Sequence, residues 1–216
     1  MEVDLDGHPG ILERRDDARW LLVLAHGAGA GMRHAFMEAI SDALVARQIA
    51  TLRWEFPYMA AGKARPDPPP IAEAAVRAVW LAAARRAPDL PRFAGGKSFG
   101  GRMTSRAHAA QGLPDARGLV FLGFPLHPPD KPGTERADHL ATAAGPLLFL
   151  QGTRDELAPL PRLRPVIKKL GARARLHVVR GADHGFDVLV RSGRTGREVI
   201  DELAETIAGW MTQNSR

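Results

Sequence analysis

The residues best suited to chemistry in this sequence lie in the stretch GGKSFGG, residues 95–101. The letters G-K-S also end a phosphate-binding P-loop, but the first glycine of that motif falls at Pro91, which has no backbone N–H to donate and cannot adopt a positive φ. The carboxylate that such proteins place at the end of an apolar strand is also missing. The pattern G-x-S-x-G instead places a serine on a sharp strand-to-helix turn, where backbone segments approach closely. We therefore interpret Ser98 as a nucleophile, with Gly96 and Gly100 as the glycines that permit the turn.

A serine nucleophile needs a general base, and the base needs a group that orients it. In proteins with this kind of turn, the acid follows the serine along the chain and the histidine comes last. Asp155 follows an apolar run and a glycine turn, so we expect it to be the acid, with the neighbouring Glu156 as the alternative. His184 lies between Gly181 and Gly185, after a predicted strand, and is the candidate base. This order along the chain predicts a catalytic triad.

The glycine-rich stretch AHGAGAG, residues 25–31, follows the first apolar run. Such a loop can turn a backbone N–H toward the oxygen of a tetrahedral intermediate, and we expect the N–H of Ala28 to do so. The N–H of Phe99, at the start of the helix after Ser98, is the second expected donor. Together they would form an oxyanion hole, in which the loss of one donor typically costs ~10²–10³ in rate.

Apolar runs of strand length alternate along the chain with segments of helical periodicity. The predicted strands are 20–25, 49–54, 92–96, 118–122, 146–151 and 175–179. The predicted helices are 34–47, 71–87, 98–111, 161–170 and 195–211. A short edge hairpin is expected from Leu5 and 11–13. This alternation predicts an α/β fold with a mostly parallel, doubly wound sheet and helices on both faces. Ligands of such sheets bind at the carboxyl ends of the strands, where the candidate residues fall.

Composition narrows the class of protein further. The 216 residues suffice for one domain, which we expect to span 1–216. The absence of cysteine excludes thiolate catalysis and disulfides. The net charge of +6 comes from scattered arginines, a pattern that predicts a solvated surface and no nucleic-acid partner. No run approaches the ~18 apolar residues of a membrane span, and no apolar leader is present, so we expect a cytoplasmic protein without a membrane partner.

Four stretches together resemble those of the α/β-hydrolases, and the resemblance extends over about 20–211. They are HGAGA (26–30), GGKSFGGR (95–102), FLQGTRDE (149–156) and GADHGF (181–186). The resemblance implies a three-layer α/β/α sandwich. It also places Ser98, Asp155 and His184 at the family's triad positions.

Two further stretches resemble a narrower, dienelactone-hydrolase-like group of small proteins. They are LRWEFPYMAAGKARPDPPP (52–70) and FLGFPLHPPDKPG (121–133). The group includes the testis-expressed hydrolase-like proteins and a subunit of the NSL chromatin complex. Arg53, Tyr58 and His127 lie in these stretches, and we expect them to line the site. Arg53, which follows a strand, would bind an acidic group of the substrate, and the alternatives for it are a buried ion pair or stacking on Trp54.

The function predicted from these observations is a serine hydrolase acting on small-molecule acyl substrates, esters or thioesters, without a metal or cofactor. The 23 residues between two predicted strands, 123–145, are too few for a cap domain, so we expect an open site. The alternative is a binding or scaffold protein that keeps the fold without catalysis. The sequence leaves the acyl group, the leaving group and the oligomeric state open.

Overall fold

Eight strands form one sheet in this computed structural model, which describes residues 1–215. The strands are β1 (Glu2–Asp4), β2 (Pro9–Glu13), β3 (Trp20–Ala25), β4 (Ile49–Trp54), β5 (Arg92–Lys97), β6 (Ala116–Leu122), β7 (Leu147–Gly152) and β8 (Ala174–Val179). Their order across the sheet is β1-β2-β4-β3-β5-β6-β7-β8. The strands from β3 to β8 are mutually parallel, and β1 and β2 form an antiparallel hairpin at the edge beside β4.

Six α-helices connect and cover the strands. They are α1 (Ala35–Val45), α2 (Pro57–Ala60), α3 (Pro69–Arg86), α4 (Phe99–Gln111), α5 (Leu160–Leu170) and α6 (Gly196–Gln213). Helices α1 and α6 pack on one face of the sheet, and α3, α4 and α5 pack on the other. Three short 3₁₀ helices occupy Glu135–Ala141, Gly171–Arg173 and Val190–Ser192.

The continuous apolar runs of the central strands follow from burial on both faces. In β3, Leu21 and Val23 point into the core beneath α3 and α4, whereas Leu22 and Leu24 point into the core beneath α1 and α6. Successive side chains of a strand alternate between faces, so in a strand covered on both sides every position faces a core and apolar residues are favoured throughout. Burying each leucine contributes roughly 1.5–3 kcal/mol relative to leaving it exposed.

The predicted fold class is confirmed: an α/β sandwich with a mostly parallel, doubly wound sheet and, within residues 1–215, no cap domain. Between β6 and β7, the segment 123–145 forms loops and one 3₁₀ helix. Helix α3 begins at Pro69, two residues before its predicted start, because proline is well suited to the first helical turn. None of the helices described for this part of the chain combines the length and apolarity that crossing a bilayer requires.

Candidate active site

Ser98 joins β5 to α4 through a strained backbone turn. Its φ of 49° and ψ of −112° lie in a region that non-glycine residues rarely adopt. A side chain on Gly96 or Gly100 would place its Cβ within 2.6 Å or 2.5 Å of the carbonyl oxygen of Ala25, at the end of β3. The turn therefore requires glycine on both sides of the serine, as the G-x-S-x-G pattern predicts.

The imidazole of His184 lies within hydrogen-bonding distance of both Ser98 and Asp155, the two residues expected to complete a triad with it. His184 Nε2 lies 2.8 Å from Ser98 Oγ, and His184 Nδ1 lies 2.7 Å from Asp155 Oδ2. A carboxylate can only accept, so Nδ1 carries the proton and Nε2 is free to accept from the serine hydroxyl. The Asp155 side chain is fully buried, whereas that of His184 is 27% exposed. The imidazole therefore connects a buried carboxylate to a hydroxyl that borders solvent.

The Asp155 carboxylate is held by hydrogen bonds from its own turn and from the end of β7. Oδ1 accepts from the Leu157 N–H at 2.8 Å, and Oδ2 accepts from the side-chain amide of Gln151. The amide oxygen of Gln151 in turn accepts from the Phe124 N–H at 3.1 Å. The alternative acid, Glu156, is exposed. The geometry therefore favours Asp155 as the partner of the imidazole, and Gln151 is a supporting residue that the sequence motifs did not single out.

Two backbone N–H groups beside Ser98 have no hydrogen-bond partner among residues 1–215: those of Phe99 and Ala28. Phe99 begins α4, where helix geometry leaves the first N–H groups unpaired. The loop that carries Ala28 is fixed by the hydroxyl of Tyr58, which donates to the carbonyl oxygens of Gly27 (3.2 Å) and Ala28 (2.8 Å). Burial raises the pKa of Tyr58, so the hydroxyl stays a donor throughout the ordinary pH range.

Lys97, immediately before Ser98, faces the cavity beside the serine. Its ammonium donates to the carbonyl oxygen of His184 and lies 5.3 Å from the ring centroid of Phe186 and 5.9 Å from that of Phe36. Burial lowers the pKa of Lys97 to about 8, although nearby carboxylates act in the opposite direction. Lys97 therefore ties the loop of the candidate base to the turn of the candidate nucleophile. Sequence reasoning missed this role because the position is a variable one in the motif.

The expectation that Arg53, Tyr58 and His127 line the site is wrong for this structure, because all three are buried and none borders the cavities beside Ser98. The guanidinium of Arg53 pairs with Glu13 (3.0 Å) and donates to the carbonyl oxygen of Met32 (2.8 Å). Of the two alternatives for Arg53, the buried ion pair is therefore correct. Tyr58 instead supports the glycine-rich loop.

His127 is also buried, but inside the loop after β6. Its Nδ1 lies 2.8 Å from the carbonyl oxygen of Pro128, and its Nε2 is buried without a partner among residues 1–215. The ring therefore packs inside the loop after β6, out of reach of a substrate.

Two cavities meet at Ser98. One, of about 1020 Å³, includes the rings of Phe36 and Phe186 in its lining. The other, of about 1160 Å³, is bordered by the proline-rich stretch 63–69 and by Arg102 on α4. The hydroxyl is therefore reachable from two directions, and a substrate carbonyl at Ser98 would have one substituent on each side.

A second serine–histidine pair lies close by but is closed to solvent. Ser105 Oγ lies 2.7 Å from His139 Nε2, where α4 meets the 3₁₀ helix. Ser105 is fully buried and also donates to the carbonyl oxygen of Arg102. A hydroxyl in this position has no path to a substrate, so the pair stabilises packing.

The doubly wound sheet and the serine turn between β5 and α4 are features of the α/β-hydrolase class. The chain belongs to the family described as alpha/beta hydrolase domain, whose model matches residues 18–212. The narrower resemblance to the testis-expressed and NSL-complex proteins stays a prediction.

Solved structures support the same fold. A dienelactone hydrolase from Anabaena variabilis is 18% identical, with a TM-score of 0.78, and the match covers 99% of this chain and 96% of that one. An α/β serine hydrolase homologue from Coxiella burnetii is 18% identical, with a TM-score of 0.76 and coverage of 95% of each chain. An α/β serine hydrolase without a lid from Xanthomonas campestris is 18% identical, with a TM-score of 0.73 and coverage of 97% and 94%. At this identity the likeness establishes the fold, not the substrate.

Proposed function

We propose that this protein is a serine hydrolase that cleaves small carboxylic esters or thioesters through Ser98, His184 and Asp155. The observation that carries the proposal is the hydrogen-bonded chain from Ser98 Oγ to His184 Nε2 (2.8 Å) and from Nδ1 to Asp155 Oδ2 (2.7 Å). The chain ends at a hydroxyl that borders two open cavities. The related folds described above, which include a dienelactone hydrolase, support the class of reaction but not a substrate.

In the first half of the reaction, Ser98 Oγ attacks the substrate carbonyl while its proton passes to His184 Nε2. The negative charge moves to the carbonyl oxygen, which accepts hydrogen bonds from the N–H groups of Ala28 and Phe99. Asp155 keeps the proton on Nδ1 and stabilises the imidazolium that forms. When the tetrahedral intermediate collapses, His184 gives its proton to the leaving alcohol or thiol, and Ser98 stays acylated.

In the second half, a water molecule gives a proton to His184 and attacks the acyl carbonyl. The same two N–H groups hold the second oxyanion. The bond to Ser98 Oγ breaks, the proton returns from His184 to the serine, and the carboxylic acid leaves. The residues return to their starting protonation states, so each turnover consumes one ester and one water.

The hydrolysis of 4-nitrophenyl acetate tests this function. We expect Ser98→Ala to lower kcat/KM by at least about 10³-fold, because both half-reactions pass through the serine oxygen. Ser192→Ala, at an exposed serine that borders neither cavity at Ser98, is the matched control and should keep the wild-type rate. Hydrolysis that continues at full rate in folded Ser98→Ala would refute the mechanism. A folded wild type that hydrolyses no activated ester would favour the alternative of a binding or scaffold protein.

A further inference from the structure

One of the two cavities at Ser98 gathers positive charge. Four basic side chains border it, and we refer to them as the basic cleft: Lys63, Arg65, Arg102 and Arg136. The one acidic side chain in the lining, Asp67, already accepts a hydrogen bond from the Tyr58 N–H at 2.9 Å. The cleft next to the candidate nucleophile therefore carries a clear excess of cations.

The cations of the basic cleft are not paired with Asp67, the carboxylate that shares their cavity. Among residues 1–215, none of its four side chains forms an ion pair with a carboxylate. Arg106, one turn beyond Arg102 on α4, shows the contrast: it pairs with Glu73 at 2.6 Å. Like charges held together repel one another, and the repulsion is relieved when an anion binds.

Arg102 is the member of the cleft closest to the candidate nucleophile along the chain. Its backbone N–H donates to the carbonyl oxygen of Ser98 at 3.1 Å, and its Nε is buried without a partner among the described residues. Burial, followed by the charges of Arg136 and Arg106, lowers the pKa of Arg102 to about 10. A guanidinium at this position stays charged at neutral pH, and its terminal nitrogens, which donate no hydrogen bond to residues 1–215, can donate to a carboxylate or phosphate oxygen in the cleft.

The opposite side of Ser98 has a different chemical character. There the rings of Phe36 and Phe186 stack, with centroids 5.6 Å apart and planes 10° from parallel. Both rings border the cavity that also contains Ser98 and His184. A ligand that spans the serine would meet the two stacked rings on one side, where the Lys97 ammonium is already bonded to the carbonyl oxygen of His184, and the cations of the basic cleft on the other.

We propose that the basic cleft binds an anionic group of the substrate, a carboxylate or a phosphate, while an apolar part of the same molecule lies against Phe36 and Phe186. The ester or thioester carbonyl then lies between the two, at Ser98. This inference rests on the proposed hydrolase function and names the substrate class: amphipathic esters with a negative charge on one side of the carbonyl. Arg102 and Arg136 are the specificity-determining residues.

Matched esters test the charge preference. In one arm, phenyl acetate is compared with 4-acetoxybenzoate and 4-acetoxyphenyl phosphate, which place a carboxylate or a phosphate on the leaving group. In the other, 4-nitrophenyl hexanoate is compared with the 4-nitrophenyl monoester of adipic acid, which places a carboxylate on the acyl group. Each kcat/KM is divided by the hydroxide-catalysed rate of the same ester, so that leaving-group chemistry cancels. We expect a preference of about tenfold or more for the anionic ester in at least one arm, which corresponds to about 1.4 kcal/mol and is within what one hydrogen bond to a charged group contributes.

Three variants locate the source of the preference. Arg102→Gln and Arg136→Gln should each lower the ratio of kcat/KM for the preferred anionic ester to kcat/KM for its matched neutral ester by about tenfold. Arg164→Gln removes the same charge from an exposed site on α5 and should leave both rates unchanged. The preference should also weaken between about 0.05 M and 0.5 M salt, because salt screens charge attraction. Equal treatment of neutral and anionic esters by the wild type would overturn the inference.

A binding measurement separates this inference from the proposed function. Titration calorimetry with folded Ser98→Ala and 4-acetoxyphenyl phosphate or 4-acetoxybenzoate needs no hydrolysis. We expect binding that weakens by about tenfold when Arg102→Gln is added and that is unaffected by Arg164→Gln. If the wild type cleaved neutral esters through Ser98 but showed no anion preference and no such binding, the proposed hydrolase function would stand and the inference of an anion site would be overturned. If the protein bound the anions but the wild type hydrolysed no ester, the result would support anion binding by the basic cleft and contradict the proposed hydrolase function.

Discussion

The hydroxyl of Tyr58 fixes the loop that carries one of the two proposed oxyanion donors. It donates to the carbonyl oxygens of Gly27 and Ala28 from a buried position on the one-turn helix α2. Preorganised donors stabilise an oxyanion without reorganising during the reaction, so a residue that holds the loop contributes to rate without touching the substrate.

We expect Tyr58→Phe to lower kcat for ester hydrolysis by about tenfold, with a smaller change in KM, because it loosens a donor used mainly in the transition state. The ring of phenylalanine preserves the packing against Phe56 and Phe99, so stability should change little. Steady-state kinetics together with urea unfolding measure both effects. Unchanged kcat in a folded variant would show that the tyrosine hydroxyl does not support the reaction.

At the scale of elements, the turn between β5 and α4 depends on atoms of a neighbouring strand. A Cβ on Gly100 would lie 2.5 Å from the carbonyl oxygens of both Ala25 and His26, at and just beyond the end of β3. These are backbone atoms in the centre of the sheet, so they cannot move aside without disturbing the strand.

We expect Gly100→Ala to lower the free energy of unfolding by about 1–3 kcal/mol or more and to reduce ester hydrolysis. Gly209→Ala is the matched control, because this glycine lies exposed inside α6, where an added Cβ would meet no atom of residues 1–215 within 4 Å beyond its own helical turn. The control should raise the free energy of unfolding by about 1 kcal/mol, since alanine favours helix more than glycine does. Chemical denaturation measures both variants. If the two substitutions changed the free energy of unfolding in the same direction, the proposed role of Gly100 would be contradicted.

The parallel strands were predictable where the chain holds a continuous apolar run, as in β3, β6 and β7. The proximity of Ser98, Asp155 and His184 was predictable because they follow three of these parallel strands, β5, β7 and β8, in a fixed order. The antiparallel hairpin of β1 and β2 was expected only in outline. Helix α2 was not predicted, since a single turn has no helical periodicity to detect. The direction of the Arg53 side chain could not be predicted from its neighbours in the sequence either. It depends on Glu13, forty residues earlier in the chain, which lies diagonally across the antiparallel pair of β2 and β4.

At the scale of the whole molecule, the hydrogen bond between buried Ser105 and half-buried His139 makes stability depend on pH. Burial, and then the charges of Arg106 and Arg102, lower the pKa of His139 to about 4. In the unfolded chain this histidine has the ordinary histidine pKa of about 6.5. Between these values the unfolded state binds a proton that the folded state does not, so the free energy of unfolding falls as the pH falls through this window.

We expect wild-type protein to lose more stability between pH ~7.5 and pH ~4.5 than His139→Gln does, because glutamine keeps a hydrogen bond to Ser105 without a group that titrates. Urea denaturation midpoints of both proteins at the two pH values measure the difference. If both proteins lost the same stability between the two pH values, His139 would not be the source of the acid sensitivity.

Both halves of the proposed reaction require Ser98 to be an activated nucleophile. A fluorophosphonate probe, followed by peptide mapping in a mass spectrometer, tests it most directly, because such probes form a covalent bond with serines activated by a neighbouring base. We predict that folded wild type is modified at Ser98 alone, and that Ser98→Ala and urea-unfolded wild type are not modified. A folded wild type that stays unlabelled, or that carries the label on another residue, would contradict the account.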